Sequence, residues 1–151
     1  MIERIDHVNI VVRDLPAMVA FYRDRLGLEL GREVTIRGQW IQTVTGLEEP
    51  EADVVYLEAA SGIGLELIRY RAPQGSRPAG LGEPNTMGLR HLAFRVNHIE
   101  DMAAGLQAAG AELLSQVQQV PAVQVDFTGR KKYIVYFRDP EGNLVELCEY
   151  R

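Results

Sequence analysis

His7-Val8-Asn9-Ile10-Val11-Val12 and, 84 positions later, His91-Leu92-Ala93-Phe94-Arg95-Val96 are two β-rich runs, each opening on a histidine. Each is followed by two polar residues, Arg13-Asp14 and Asn97-His98, and then by a helical stretch, Leu15–Leu26 and Ile99–Ala109. Leu15, Met18, Val19, Tyr22 and Leu26 fall on one face of a helix of 3.6 residues per turn. Ile99, Met102, Ala103 and Leu106 take the first four of those places at the same offset. Asp14 suits an N-cap, and Pro16 lies in the first turn, where its missing N–H does no harm. Gly27 and Gly110 stand where a chain leaving a helix wants positive φ. The chain is therefore an internal duplication.

Strand-like sequence follows each helix. In the first half the candidates are Leu28–Glu33, Trp40–Thr45, Val54–Glu58 and Leu65–Tyr70, with Ser61-Gly62-Ile63-Gly64 as the last turn. In the second they are Leu113–Val117, Val120–Val125, Tyr133–Phe137 and Leu144–Tyr150. Asp139-Pro140-Glu141-Gly142-Asn143 marks a turn, with proline early and glycine late. The expected class is α+β, two βαβββ modules at residues 1–70 and 91–151. The loop joining them, 71–90, holds three of the seven prolines and four of the fourteen glycines.

Composition narrows the function. The 151 residues are 46% hydrophobic and 25% charged, which suits a folded domain and excludes wholesale disorder. No apolar run is long enough to cross a membrane, and the N-terminal residues lack the pattern of a signal peptide, so a cytoplasmic protein without a membrane partner is expected. Cys148 is the lone cysteine and offers neither a disulfide nor a thiolate zinc site. A net charge of −5 argues against a nucleic-acid partner. The single basic cluster, Arg130-Lys131-Lys132, reads as a solvated turn, the alternative being a contact with an anionic substrate.

Strand alternation locates the chemistry. Val8, Ile10 and Val12 suit packing against a helix, which turns His7, Asn9 and Val11 to the opposite face. Leu92, Phe94 and Val96 leave His91, Ala93 and Arg95 on the corresponding face. Glu66 opposes Leu65 and Leu67, as Glu146 opposes Val145 and Leu147. If the two sheets curve around a common cavity, two imidazoles and two carboxylates meet there. Such a set suits one divalent ion, Zn, Ni, Co, Mn or Fe. The third histidine, His98, is assigned to helix capping or solvent. Trp40, Tyr56, Tyr133 and Tyr136 are read as core aromatics, or else as the walls of a pocket.

His7, the segment Phe21-Tyr22-Arg23-Asp24-Arg25-Leu26-Gly27-Leu28, Glu66-Leu67, His91, the Asp139–Asn143 turn and Glu146-Leu147 together resemble the vicinal oxygen chelate superfamily. Its members include glyoxalase I, methylmalonyl-CoA epimerase, extradiol dioxygenases, and fosfomycin- and bleomycin-resistance proteins. The resemblance covers Ile5 to Tyr150. It implies paired βαβββ modules forming a cup-shaped mixed sheet around a divalent metal, commonly in a homodimer, with a small molecule as substrate.

Four protein ligands, His7, Glu66, His91 and Glu146, match the pattern of glyoxalase I most, with the epimerase next. They imply an isomerase or lyase that moves a proton beside a metal-chelated carbonyl. By this resemblance Glu146 is the catalytic base and Glu66 its possible partner across the substrate. Val11 and Tyr70 stand where glyoxalase I usually has an arginine and an asparagine for glutathione, which argues against a glutathione substrate. Arg95 is a candidate for a substrate carboxylate or phosphate. Glu33, Glu48 and Glu49 are candidates for a second base of the epimerase kind. The alternatives are an extradiol-type dioxygenase and a non-catalytic, bleomycin-resistance-like binding protein.

Overall fold

A computed structural model describes residues 1–59 and 63–151; Ser61 and Gly62, assigned above to a turn, lie outside the described residues. The chain divides into two compact units, Met1–Arg77 and Pro78–Arg151. Both are mixed α+β. None of the described helices is long and apolar enough to cross a membrane.

The first unit runs β1 (His7–Val11), α1 (Leu15–Leu26), β2 (Glu29–Arg37), α2 (Gln39–Thr45), β3 (Glu51–Glu58) and β4 (Gly64–Ala72). Its four strands are ordered β1-β4-β3-β2, with β1 parallel to β4 and the other pairs antiparallel. Parallel neighbours need a crossover, which the intervening helix and hairpin supply. Helix α1 has the bounds its signals give. Asp14 caps it by accepting from the Ala17 N–H at 3.0 Å, and Gly27 at φ 73° lets the chain bond back to the Arg23 and Tyr22 carbonyls. Met18 and Tyr22 are fully buried, and α1 packs on β3 and β4. Burying each such side chain contributes roughly 1.5–3 kcal/mol.

Trp40–Thr45, expected as a strand, is instead helix α2. Gly38 at φ 91° and Gly46 at φ 70° bracket it, breaking the strand before and ending the helix after. The hydroxyls of Thr43 and Thr45 donate to the Gln39 and Ile41 carbonyls one turn back, and Ile41 is buried. Packing thus overrides the strand preference of the β-branched residues.

The second unit runs β5 (His91–Arg95), α3 (Ile99–Ala108), β6 (Glu112–Leu113), β7 (Gln118–Gln119), β8 (Lys132–Arg138) and β9 (Leu144–Tyr150). Its sheet is ordered β5-β9-β8-β6, with β7 also on β8 and β5 parallel to β9. The strand expected at Leu113–Val117 is cut to two residues, and the candidate at Val120–Val125 lies beyond β7 in a turn that follows Pro121. His98 precedes α3 at φ 58° but its side chain caps nothing; Glu149 accepts from the Ile99 N–H instead, at 2.9 Å. Part of the expected linker is folded onto this unit. Arg90 donates to the carbonyls of Gly80, Leu81 and Glu83. A β-carbon on Gly82 would stand 2.5 Å from Arg138 Nε and 2.9 Å from the Gly142 carbonyl oxygen, so a side chain there would force backbone to shift.

The turn before β9 is built by the buried Asp139. One carboxylate oxygen accepts from the Glu141 and Asn143 N–H groups at 3.0 and 2.9 Å, and the other from the Asn143 side chain at 2.8 Å. Replacing Asp139 by alanine orphans these donors and is expected to cost about 2 kcal/mol, read as a lowered urea midpoint.

In the first unit Arg71, Arg69 and Thr35 surround Asp53. Their bonds, that of Arg71 above all, outweigh burial and hold its carboxyl down at about 2. Lowered in the folded state, this group stabilises the fold above the ordinary carboxylate range, and its contribution disappears as pH falls from about 4 to about 2. An Asp53→Asn variant should therefore show a flatter loss of stability than wild type between those pH values in acid titrations followed by circular dichroism.

Candidate functional site

Register places the two histidine–glutamate pairs. In β1–β4, His7 aligns with Gly64 and Asn9 with Glu66; in β5–β9, His91 aligns with Leu144 and Ala93 with Glu146. Histidine and glutamate are thus two residues apart along a parallel pair, and both project to the face opposite the helix. His7 Nε2 lies 3.4 Å from Glu66 Oε2, and His91 Nε2 lies 3.5 Å from Glu146 Oε2. The other nitrogen of His7 is 3.0 Å from Asp6 Oδ2, an outer contact that orients a ring.

A tyrosine completes each pair from the neighbouring strand. Tyr56 is the cross-strand partner of Glu66, and Tyr136 that of Glu146. Burial pushes both phenols up in pKa, and their hydrogen bonds to the glutamates add to the rise. Tyr136 also meets His91 edge-on, with ring centres 5.2 Å apart. Two of the aromatics read as core or pocket walls thus hold the carboxylates. Trp40, by contrast, is exposed on α2, and Tyr133 bonds Gln119 and stacks on Arg151.

The pairs differ in their last neighbour. Glu66 Oε2 accepts from the Asn9 amide at 3.0 Å. Glu146 has Ala93 at that register and instead takes Lys132 Nζ, 3.1 Å from Oε1. Lys132 is therefore no solvated turn residue. It opens β8, its side chain is 19% exposed, and its pKa is raised because the Glu146 carboxylate outweighs the burial that would lower it. Alternation along β8 puts Lys132, Ile134 and Tyr136 on one face, a signal the basic triplet obscured.

Glu146 is the more enclosed carboxylate, 5% exposed against 14% for Glu66. Its Oε1 is buried against the Lys132 ammonium at ion-pair distance, and its Oε2 is the oxygen that faces His91. Each pair offers one nitrogen and one oxygen of the kind borderline divalent ions take. Among the described residues no group of three or more His, Cys, Asp or Glu stands together as a ready metal cage.

Arg95 lies on the same face as His91, with its guanidinium 5.2 Å from the ring centre of Tyr150. Glu33 aligns with Val55, on the face opposite to Glu66, and the Glu49 N–H bonds Gln42. The Glu33 register brings no second base beside Glu66.

A family model described as the Glyoxalase/Bleomycin resistance protein/Dioxygenase superfamily matches residues 4–147. An uncharacterised protein of Escherichia coli, YaeR, is 31% identical over 98% of this chain and 97% of its own length. An ethylmalonyl-CoA/methylmalonyl-CoA epimerase of Cereibacter sphaeroides is 30% identical over 97% of this chain and 98% of its own. The crystal structure of a glyoxalase family protein from Bacillus cereus superimposes with a TM-score of 0.87 at 28% identity, covering 99% of this chain and 95% of that one. With its duplicated fold and nearly full-length match, this chain belongs to the glyoxalase/bleomycin resistance/dioxygenase superfamily.

Proposed function

We propose that the chain is a metal-dependent isomerase or lyase that moves a proton next to the carbonyl of a small oxygenated substrate. His7, Glu66, His91 and Glu146 are the proposed ligands of one divalent ion (Zn, Ni, Co, Mn or Fe), and the working unit is a homodimer. The observation that carries this reading is the repetition of one pair, an imidazole 3.4–3.5 Å from a carboxylate, at equivalent register in both halves. Structural needs rarely repeat a polar pair on the face away from the helix, whereas a shared ligand needs both. The relative named as an epimerase supports the proton-transfer class.

A divalent ion, when bound, supplies Lewis acidity toward a chelated carbonyl. The protein's own groups do the rest. Glu146 is the proposed base, enclosed so that water competes little for its proton, and steered by Tyr136 and Lys132. Glu66 is its counterpart, held by Asn9 and Tyr56. Two carboxylates of different enclosure suit the giving and taking of one proton.

Protein purified without a histidine tag should carry about one divalent ion per chain. Loss of an outer contact typically costs 10–100-fold in metal affinity, so losing a ligand in Glu66→Ala should cost at least about tenfold. Metal content by mass spectrometry and affinity by competition titration check this. Bound iron unaffected by the substitution would favour dioxygen chemistry, and no uptake by wild type would leave a binding protein.

A further inference from the structure

The two repeats match in their histidines, glutamates and tyrosines but not in the charge that lies beyond them. Lys132 faces Tyr150 across β8–β9, and Arg95 aligns with Cys148. At the same registers in the first unit, Ala52 faces Tyr70, and Val11 aligns with Ile68. There Ala52, Val54 and Ile68 form a buried apolar cluster with Tyr56 and Tyr70 against it, and one cation, Arg32, stacks on Tyr56.

In the second unit three cations surround one ring. The Arg95 and Arg130 guanidiniums and the Lys132 ammonium lie 5.2, 5.0 and 5.8 Å from the centre of Tyr150. Lys132 has Glu146, whereas no carboxylate partner is recorded for Arg95 or Arg130 among the described residues. Arg23, Arg69, Arg71, Arg138 and Arg151 each meet an aspartate or glutamate; what sets Arg95 and Arg130 apart from the other arginines without one is that they share a single ring. Asp126, in the turn before Arg130, is turned to the Gly129 N–H. Tyr150 is half-buried, and stacking contributes about 0.5–1 kcal/mol per cation at exposed sites, rising to about 2 where the contact is desolvated. Stacking leaves the two guanidinium charges beside the paired Lys132 without a counter-ion among the described residues, on a protein of net charge −5. An oxyanion among them would meet forked N–H donors and neutralise the excess.

We propose that Arg95, Arg130 and Lys132 form an oxyanion site around Tyr150 that takes the carboxylate or phosphate group of the substrate. Tyr150 is four residues from Glu146 on the same strand face, about 13 Å along the backbone, and Lys132 reaches between them. The substrate class is then a small acid or phosphate ester whose anionic end is separated by several bonds from its reacting carbon. Its role as a substrate subsite rests on the function proposed above; anion binding itself needs no metal.

The test is calorimetric titration with succinate, with glycerol 3-phosphate and with neutral glycerol. Wild type is compared with Arg95→Gln/Arg130→Gln, with Arg95→Lys/Arg130→Lys, and with Arg25→Gln on α1 as control. At least one anion should bind wild type and the control alike, more tightly than glycerol and less so as salt rises. The Gln pair should lose at least about tenfold and the Lys pair recover part of it. Binding of succinate alone assigns a carboxylate, and of glycerol 3-phosphate alone a phosphate. Equal affinity in the Gln pair, or no anion preferred over glycerol, overturns the site. That result would leave the metal reading standing, just as absence of metal uptake would leave this titration readable.

Discussion

The parallel pairing of the first strand with the last in each half is the constraint on which the rest depends. In a parallel ladder, residues two apart along aligned strands share a face. β1–β4 and β5–β9 therefore fix His7 beside Glu66 and His91 beside Glu146 through backbone hydrogen bonds, independently of side-chain rotamers. A slip of one residue would turn either glutamate into the helix-side core, where Leu65, Leu67, Val145 and Leu147 are buried. The register is held from outside as well, by the capped helix α1 in the first half and by the Asp139 turn that launches β9 in the second.

On that duplicated frame the two halves have diverged by exchange at fixed positions. Asn9 and Ala52 in the first become Ala93 and Lys132 in the second, and Val11 becomes Arg95. One carboxylate is thus held by neutral donors beside apolar side chains, and the other by an ammonium beside guanidiniums. For a reaction that distinguishes the two sides of a carbon, or a substrate with one charged end, such asymmetry is the useful departure from the repeat.

Much of this was legible in the sequence, because duplication gives each signal a second chance to be seen. Asp14, Pro16 and Gly27 bounded α1 to the residue, and strand alternation assigned the faces of all four histidine and glutamate side chains. The failures have local causes. α2 reads as a strand because Trp40, Ile41, Thr43, Val44 and Thr45 favour one, while the helix depends on flanking glycine torsions and threonine bonds that composition does not reveal. Lys132 sits in a basic triplet that reads as solvated, although its period-two relation to Tyr136 marks it as part of the same strand face. The anchoring of Glu66 by Asn9 and of both carboxylates by tyrosines needed the cross-strand register, which hydrophobic pattern alone leaves unset.

The central claim is that both halves give their pair to the same ion. Cobalt(II) titration followed by visible absorption tests it most directly, using wild type, His7→Ala and His91→Ala. The account predicts one absorbing site per chain whose bands shift and whose affinity falls in either variant. A spectrum that responds to one histidine and is indifferent to the other would contradict it.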